Sequence, residues 1–80
     1  MDEDHREIEL DLSGLLCPLP VLKARKRLIS MEAGDVLVVT ATDPMSAIDI
    51  PHFCNEQGHE LLQQSKSDQR FLFRIRKSHQ

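Results

Sequence analysis

The chain lacks the features that hold together a secreted or membrane-embedded fold. It has only two cysteines among 80 residues, too few for the disulfide framework of a small secreted domain. Its longest strongly apolar run, residues 36–39, cannot span a bilayer, which takes about 20 residues. The first residues are polar and acidic, so we expect no signal peptide, no membrane contact and a location in the reducing cytoplasm.

The chain also lacks the basic excess typical of general nucleic-acid binders. Its formal net charge is −3, so we expect no direct contact with nucleic acid. The basic residues are nevertheless clustered in two segments, 23–27 and 70–77. Such clusters are usually solvated faces, and a docking patch for an acidic partner is the alternative. A length of 80 residues indicates one domain, 1–80, with an ordered core of about 7–77, a frayed end at 78–80 and a monomer in isolation.

Hydropathy periodicity predicts the first three elements as strand, helix and strand. Alternating apolar residues predict a half-buried strand over residues 8–12, and an unbroken apolar run predicts a strand over 35–42 that is buried on both faces. Between them we predict a helix over residues 18–31. Its apolar stripe comprises Val21, Leu22, Leu28 and Ile29.

The second half of the chain predicts one further helical region and a hairpin. Asp43 and Pro44 form a helix start signal, but Pro51 would break a continuous helix. We therefore predict a short turn at 44–47 and a helix that starts near Pro51, capped by Asp49 and ended by Gly58; a single kinked helix is the alternative. Strands over 60–65 and 70–77 complete the chain, with Phe71, Phe73 and Ile75 facing the core.

This order, β-α-β-α-β-β, predicts an α+β two-layer sandwich. Its four-stranded mixed sheet carries both helices on one face. Cys17 follows the first strand and Asp43 follows the second. Because the carboxyl ends of parallel strands meet at one edge of a sheet, and sites collect there, we expect the two residues at the same edge.

The most informative motif is Cys17-Pro18-Leu19-Pro20. Proline suits the first helical position, so Pro18 is predicted there and Cys17 is predicted as the N-cap. A thiol at the positive end of a helix favours its thiolate, so we predict a Cys17 pKa below the value of about 8.5 for a free thiol. Pro20 stands where a second thiol would make a dithiol redox motif, so a single nucleophilic thiol is indicated. The alternative is a small apolar residue packed at a helix start.

Two other residues invite a functional interpretation. Cys54 follows Phe53 in an apolar setting, so a core cysteine is predicted in preference to a resolving thiol. A metal site of Cys17 and Cys54 with the histidines near Cys54 shows no compact ligand spacing, so we expect no metal and no cofactor. Arg25 falls within the predicted apolar stripe and would need a carboxylate partner, for which Asp11, Asp43 and Asp49 are the candidates, or a stem that covers apolar surface.

Taken together, these motifs resemble the signature of the TusA/SirA-like sulfur carriers. The similar segments are residues 10–26, 33–35, 42–44, 49–51, 53–54 and 58–61. The resemblance implies a fold like the C-terminal domain of translation initiation factor 3. It also implies that Cys17 accepts sulfane sulfur as a persulfide, usually from a cysteine desulfurase, and hands it to a downstream acceptor protein. In one branch of the family the relay ends in 2-thiolation of the tRNA wobble uridine; similar branches serve sulfur oxidation, molybdenum-cofactor or selenium pathways.

The candidate site follows from the motif and the resemblance together. Cys17 is the sulfur-bearing residue, and Arg25 matches a basic position near it in the family. Binding roles are predicted for Pro18, Pro20, Arg25 and Asp43. Partner docking is predicted for Leu15, Leu16, Leu19, Lys23, Lys26 and Arg27. Such a protein is a relay more than a true enzyme. The alternatives are an RNA- or protein-binding module of the same fold and a one-thiol peroxidase or reductase.

Overall fold

The computed structural model describes residues 5–78. The elements are β1 Glu7–Leu12, α1 Leu19–Ile29, β2 Val36–Ala41, α2 Ser46–Gln57, β3 Glu60–Ser67 and β4 Arg70–Arg76. The predicted β-α-β-α-β-β order is therefore confirmed. The acidic start at residues 1–4 and the last two residues of the predicted frayed end lie outside the described range. Neither described helix is long and apolar enough to cross a bilayer.

The four strands form one mixed sheet in the order β1-β2-β4-β3. β1 and β2 run parallel, with Leu12 opposite Ala41 at their carboxyl ends. β4 pairs antiparallel with both β2 and β3, so the last two strands form the predicted hairpin. The register of β1 and β2 brings the segments that follow them to one edge of the sheet.

The core lies between one face of the sheet and the two helices, as predicted for a two-layer sandwich. Its fully buried side chains include Leu37, Val39, Phe73 and Ile75 from the sheet with Leu28 and Ile50 from the helices. Alternate residues of β2 face the opposite side and are only half-buried. The prediction that β2 is buried on both faces is therefore wrong, because no second layer covers the outer face. There Arg74 reaches across β2 to pair with Glu7.

The buried face of α1 matches the predicted apolar stripe only in part, since Leu28 is buried and Val21 packs against the core. Its buried residues are Pro20, Ala24 and Leu28, spaced four apart. Leu22 and Ile29 retain 52% and 65% of their exposure. The small residues Pro20 and Ala24 complete the buried face, whereas the prediction from hydropathy rests on the larger apolar side chains.

Residues 46–57 form one helix, so the predicted break near Pro51 is wrong and the single-helix alternative is correct. Proline cannot donate to the carbonyl four residues back, which is that of Ala47. Gln64 of β3 donates its side-chain amide to this carbonyl at 3.2 Å. The neighbouring strand thus satisfies the group that the proline leaves without a donor, and the helix continues. Gly58 ends α2 as predicted, in a left-handed conformation with φ 79°.

Candidate functional site

The loop between β1 and α1 carries Cys17 at the carboxyl edge of the sheet. Gly14 turns this loop with φ 85°, a conformation that costs glycine little. The Gly14 N–H donates to Thr42 Oγ1 at 2.8 Å, and the Cys17 N–H donates to Asp43 Oδ2 at 2.6 Å. Both acceptors belong to the segment that follows β2. The expected meeting of Cys17 and Asp43 at one edge is therefore confirmed.

Cys17 is not the N-cap of α1, contrary to the prediction. The Pro18 carbonyl accepts the N–H of Leu22 at 3.2 Å, and the N-cap is the residue whose carbonyl accepts the first helical bond. Pro18 is therefore the N-cap, and α1 begins at Leu19. The Leu19 N–H donates to a loop carbonyl, and Pro20 has no N–H to offer. The first turn of α1 consequently has few free donors for the sulfur.

The Cys17 thiol instead faces a carboxylate. Cys17 is exposed, and its Sγ donates to Asp49 Oδ2 at 3.0 Å. This hydrogen bond raises the pKa of Cys17 above its ordinary value, and partial desolvation and the negative charges of Asp49 and Asp43 raise it further. The predicted lowering of the Cys17 pKa is therefore wrong, because the nearest charged groups are anions. The thiol remains protonated at neutral pH.

The sequence predicts Asp49 only as a helix cap or a partner for Arg25, so its contact with Cys17 is a finding of the structure. Asp49 lies in the first turn of α2 and is half-buried. A signal for its position was present, because Asp43 and Pro44 mark a helix start at the edge that also carries Cys17. A continuous helix from that start places Asp49 one turn in, at the same edge.

Asp43 accepts hydrogen bonds at the site through both its side chain and its backbone carbonyl. Its carboxylate is buried, and it accepts the Met45 N–H at 3.3 Å in addition to the Cys17 N–H. Its backbone carbonyl accepts the Ser46 N–H at 2.9 Å. Asp43 thereby ties the Cys17 loop to the start of α2.

Arg25 is exposed and lies away from the sulfur's charged neighbours. It lines a groove of about 350 Å³ between the two helices and the end of β4. The groove residues are Arg25, Leu28, Ile29, Phe53, Gln57, His59 and Lys77. Within residues 5–78, none of the three candidate aspartates forms an ion pair with Arg25. In the described part of the chain, the charged groups that act on the Cys17 pKa are Asp49 and Asp43, and no fixed cation lies beside the thiol there.

Apolar side chains surround the approach to Cys17. Leu16 and Leu19 are exposed, whereas Leu15 packs against the core. Met45 and Ile48 at the start of α2 are also exposed and were not predicted. We call Leu16, Leu19, Met45 and Ile48 the apolar rim, because they come from the two segments that meet at Cys17.

The predicted basic docking residues differ in exposure and in hydrogen bonding. Lys23 and Lys26 are exposed. Arg27 is half-buried, and its guanidinium donates to Ser30 Oγ at 2.6 Å. Of these three cations on α1, two are therefore exposed and one is held by a hydrogen bond.

Cys54 is a core residue, as predicted. It is 2% exposed and packs within the main hydrophobic cluster. Burial raises the pKa of its thiol to about 11. Only Cys17 of the two cysteines is accessible to a reagent or a partner.

The comparisons with known proteins agree over nearly the whole chain. Residues 8–77 match the family described as Sulfurtransferase TusA. The Sulfur carrier protein TusA of Allochromatium vinosum is 49% identical over 70 residues, which cover 88% of this chain and 92% of that protein. The Sulfur carrier protein TusA of Pseudomonas putida is 50% identical over 68 residues, which cover 85% of each. The crystal structure of the SirA-like protein from Desulfitobacterium hafniense has a TM-score of 0.78 at 26% identity and covers 90% of this chain and 99% of that one. From its matched residues, its relatives and its fold, the chain belongs to the TusA sulfurtransferase family.

Proposed function

We propose that this protein is a sulfur carrier that holds sulfane sulfur as a persulfide on Cys17. The observation that carries the proposal is the exposed Cys17 thiol on a loop pinned to the carboxyl edge of the sheet. The two relatives described above are named sulfur carrier proteins. A carrier needs an accessible nucleophile that is held in a fixed place, and Cys17 meets both requirements.

The reaction is a transfer of one sulfur atom without net oxidation. Cys17 Sγ attacks the terminal sulfur of a donor persulfide, R–S–SH. The Sγ–S bond forms as the donor S–S bond breaks, and the electron pair of that bond stays on the donor sulfur. The proton lost by Cys17 ends on the donor thiolate, which gives Cys17–S–SH and R–SH. The same step, with Cys17 now the donor, passes the sulfur to the acceptor protein.

The donor we propose is a cysteine desulfurase, and the acceptor is a downstream sulfur-transfer protein in the cytoplasm. Thiolation of the tRNA wobble uridine at position 2 is one end point of such a relay. Donor and acceptor would use the same surface in turn. The apolar rim supplies contact area, and Lys23, Lys26 and Arg27 on α1 steer an acidic partner toward it.

Persulfide loading tests the proposal directly. The full chain is incubated with a cysteine desulfurase and L-cysteine, and each cysteine peptide is examined by mass spectrometry. We expect one added sulfur atom on Cys17 of the wild-type protein and none in Cys17→Ser. That variant should fold normally, because residue 17 is exposed and precedes α1.

Cys54→Ala is the matched control, since it removes the chain's other thiol and should still be loaded. Sulfur on Cys54 alone would contradict the site. Sulfenic acid on Cys17 after peroxide treatment, without persulfide loading, would favour a one-thiol peroxidase. No modification under either condition would favour a binding module of the same fold.

A further inference from the structure

We propose that the Asp49 carboxylate holds Cys17 as a protonated thiol in the free protein, and that a sulfur-transfer partner activates Cys17 by pairing a lysine or arginine side chain with Asp49. This inference rests on the proposed function and names the chemistry that a partner must present at the site.

The Cys17–Asp49 contact is specific. The Cys17 thiol donates to Asp49 Oδ2 at 3.0 Å, and within residues 5–78 it is the only hydrogen-bond donor to that carboxylate. Asp43, the other carboxylate beside the thiol, already accepts the backbone N–H groups of Cys17 and Met45. Asp49 is therefore the carboxylate that a partner's cation can reach.

Asp49 lies in the first turn of α2, where the positive end of a helix stabilises a carboxylate. As the acceptor of the thiol's hydrogen bond, the Asp49 carboxylate favours the form of Cys17 that carries a proton to donate. It disfavours a thiolate or a persulfide anion at the same place, because like charges repel.

No cation of the described residues offsets this effect. The first basic residue of α1, Lys23, comes six residues after Cys17 and is exposed. On α2, His52 pairs with Glu56 at 3.4 Å. Arg25 lines the groove at the other end of α1. Among residues 5–78, the charges that act on the thiol are those of Asp43 and Asp49, so the proposal places the neutralising charge on the partner.

A bound partner can supply that charge without a chemical step at Asp49. A guanidinium or ammonium group that pairs with the Asp49 carboxylate takes the acceptor of the thiol's hydrogen bond. Cys17 can then lose its proton, attack the donor persulfide and leave that proton on the departing donor thiolate. When the partner leaves, the persulfide again faces two carboxylates. The persulfide anion is then disfavoured. The arrival of a second partner with a cation removes this effect and promotes transfer of the sulfur to that partner.

The first experiment measures the alkylation rate of Cys17 by iodoacetamide against pH. The proteins are wild type, Asp49→Asn and, as matched control, Glu56→Gln, which removes one carboxylate from the exposed side of the same helix. We expect the alkylation midpoint of Asp49→Asn to fall and that of Glu56→Gln to stay at the wild-type value. Because the thiolate fraction below the pKa rises about tenfold for each unit by which the pKa falls, alkylation at pH 7 should rise measurably. A midpoint in Asp49→Asn that is unchanged or higher overturns the proposal. Asp49→Ala, which cannot accept the hydrogen bond, should behave like Asp49→Asn, and thermal melting shows that each variant is folded.

The second experiment measures loading by the desulfurase at increasing carrier concentration and salt. Loss of Asp49 should raise the KM for the carrier and weaken its salt dependence, since the partner's cation loses its anion, while kcat stays at or above the wild-type value. A fall in kcat with unchanged KM would overturn the proposal, because Asp49 would then be needed for the chemistry itself. If wild-type protein is never loaded, the proposed function fails, whereas the alkylation profile still decides the assignment of Asp49.

Discussion

Two adjacent residues of α1 should differ sharply in their contribution to stability. Leu28 is 1% exposed within the core, whereas Ile29, the next residue of the helix, is 65% exposed. Truncating a buried leucine to alanine costs about 2–5 kcal/mol, since buried contacts are lost and a cavity remains. Truncating an exposed isoleucine to alanine removes little buried surface and introduces a better helix former. The free energy of unfolding should therefore change by no more than about 0.5 kcal/mol. A domain of this length has roughly 4–12 kcal/mol in total, so Leu28→Ala removes a large share.

Equilibrium urea unfolding of Leu28→Ala and Ile29→Ala measures both costs. The free energy of unfolding should fall by at least about 2 kcal/mol in Leu28→Ala, with the slope against urea close to that of wild type. Persulfide loading of the folded fraction should be retained in both variants. Equal losses, or a larger loss in Ile29→Ala, would show that the buried face of α1 is the stripe predicted from large apolar side chains and would refute the packing described here.

Two further changes test charge at the surface and in the fold. Replacing both Lys23 and Arg27 with glutamate should slow association with an acidic desulfurase and weaken the salt dependence of that rate, measured by stopped-flow mixing. The alkylation rate of the Cys17 thiol should change much less. An unchanged association rate would show that the basic cluster is only a solvated face. The Asp35 carboxylate accepts the backbone N–H groups of Arg6 and Glu32, which hold its pKa below the ordinary range. Its stabilising effect is therefore fully present above the unfolded value of about 3.9 and is lost as pH falls through the lower folded pKa. Urea midpoints at pH 7 and pH 3 should differ more for wild type than for Asp35→Asn, and equal differences would contradict the role of this carboxylate.

The topology could be predicted because it depends on periodic patterns within short segments. Alternation over 8–12 and 70–77 fixed the faces of β1 and β4, and the order of elements then limited the sheet to a parallel pair with a hairpin. The position of Cys17 at the carboxyl edge follows from that topology alone. What remained open was decided by groups far apart in the chain.

Both helices differ from their sequence-based predictions in ways that involve the rest of the fold. In α2, the Ala47 carbonyl that Pro51 leaves without a helical donor accepts the Gln64 side chain from a strand 17 residues away. The buried face of α1 includes Pro20 and Ala24, which a stripe chosen from large apolar side chains omits. The Gln64 contact leaves no mark in the local pattern of α2. The pairing of Cys17 with Asp49, 32 residues apart, has the same character.

The raised pKa of Cys17 follows from which groups lie at the positive ends of the two helices. The positive end of a helix favours any anion, including a carboxylate that the helix itself carries. In α2 that place is occupied by Asp49, and the first turn of α1 has little to offer because Pro18 and Pro20 lack N–H groups. A site that strongly favoured sulfur anions would load readily but would also retain its persulfide. In the mechanism that we propose, two carboxylates beside an exposed thiol have the opposite effect, because they leave a persulfide anion without local stabilisation and make its transfer dependent on the partner that is bound.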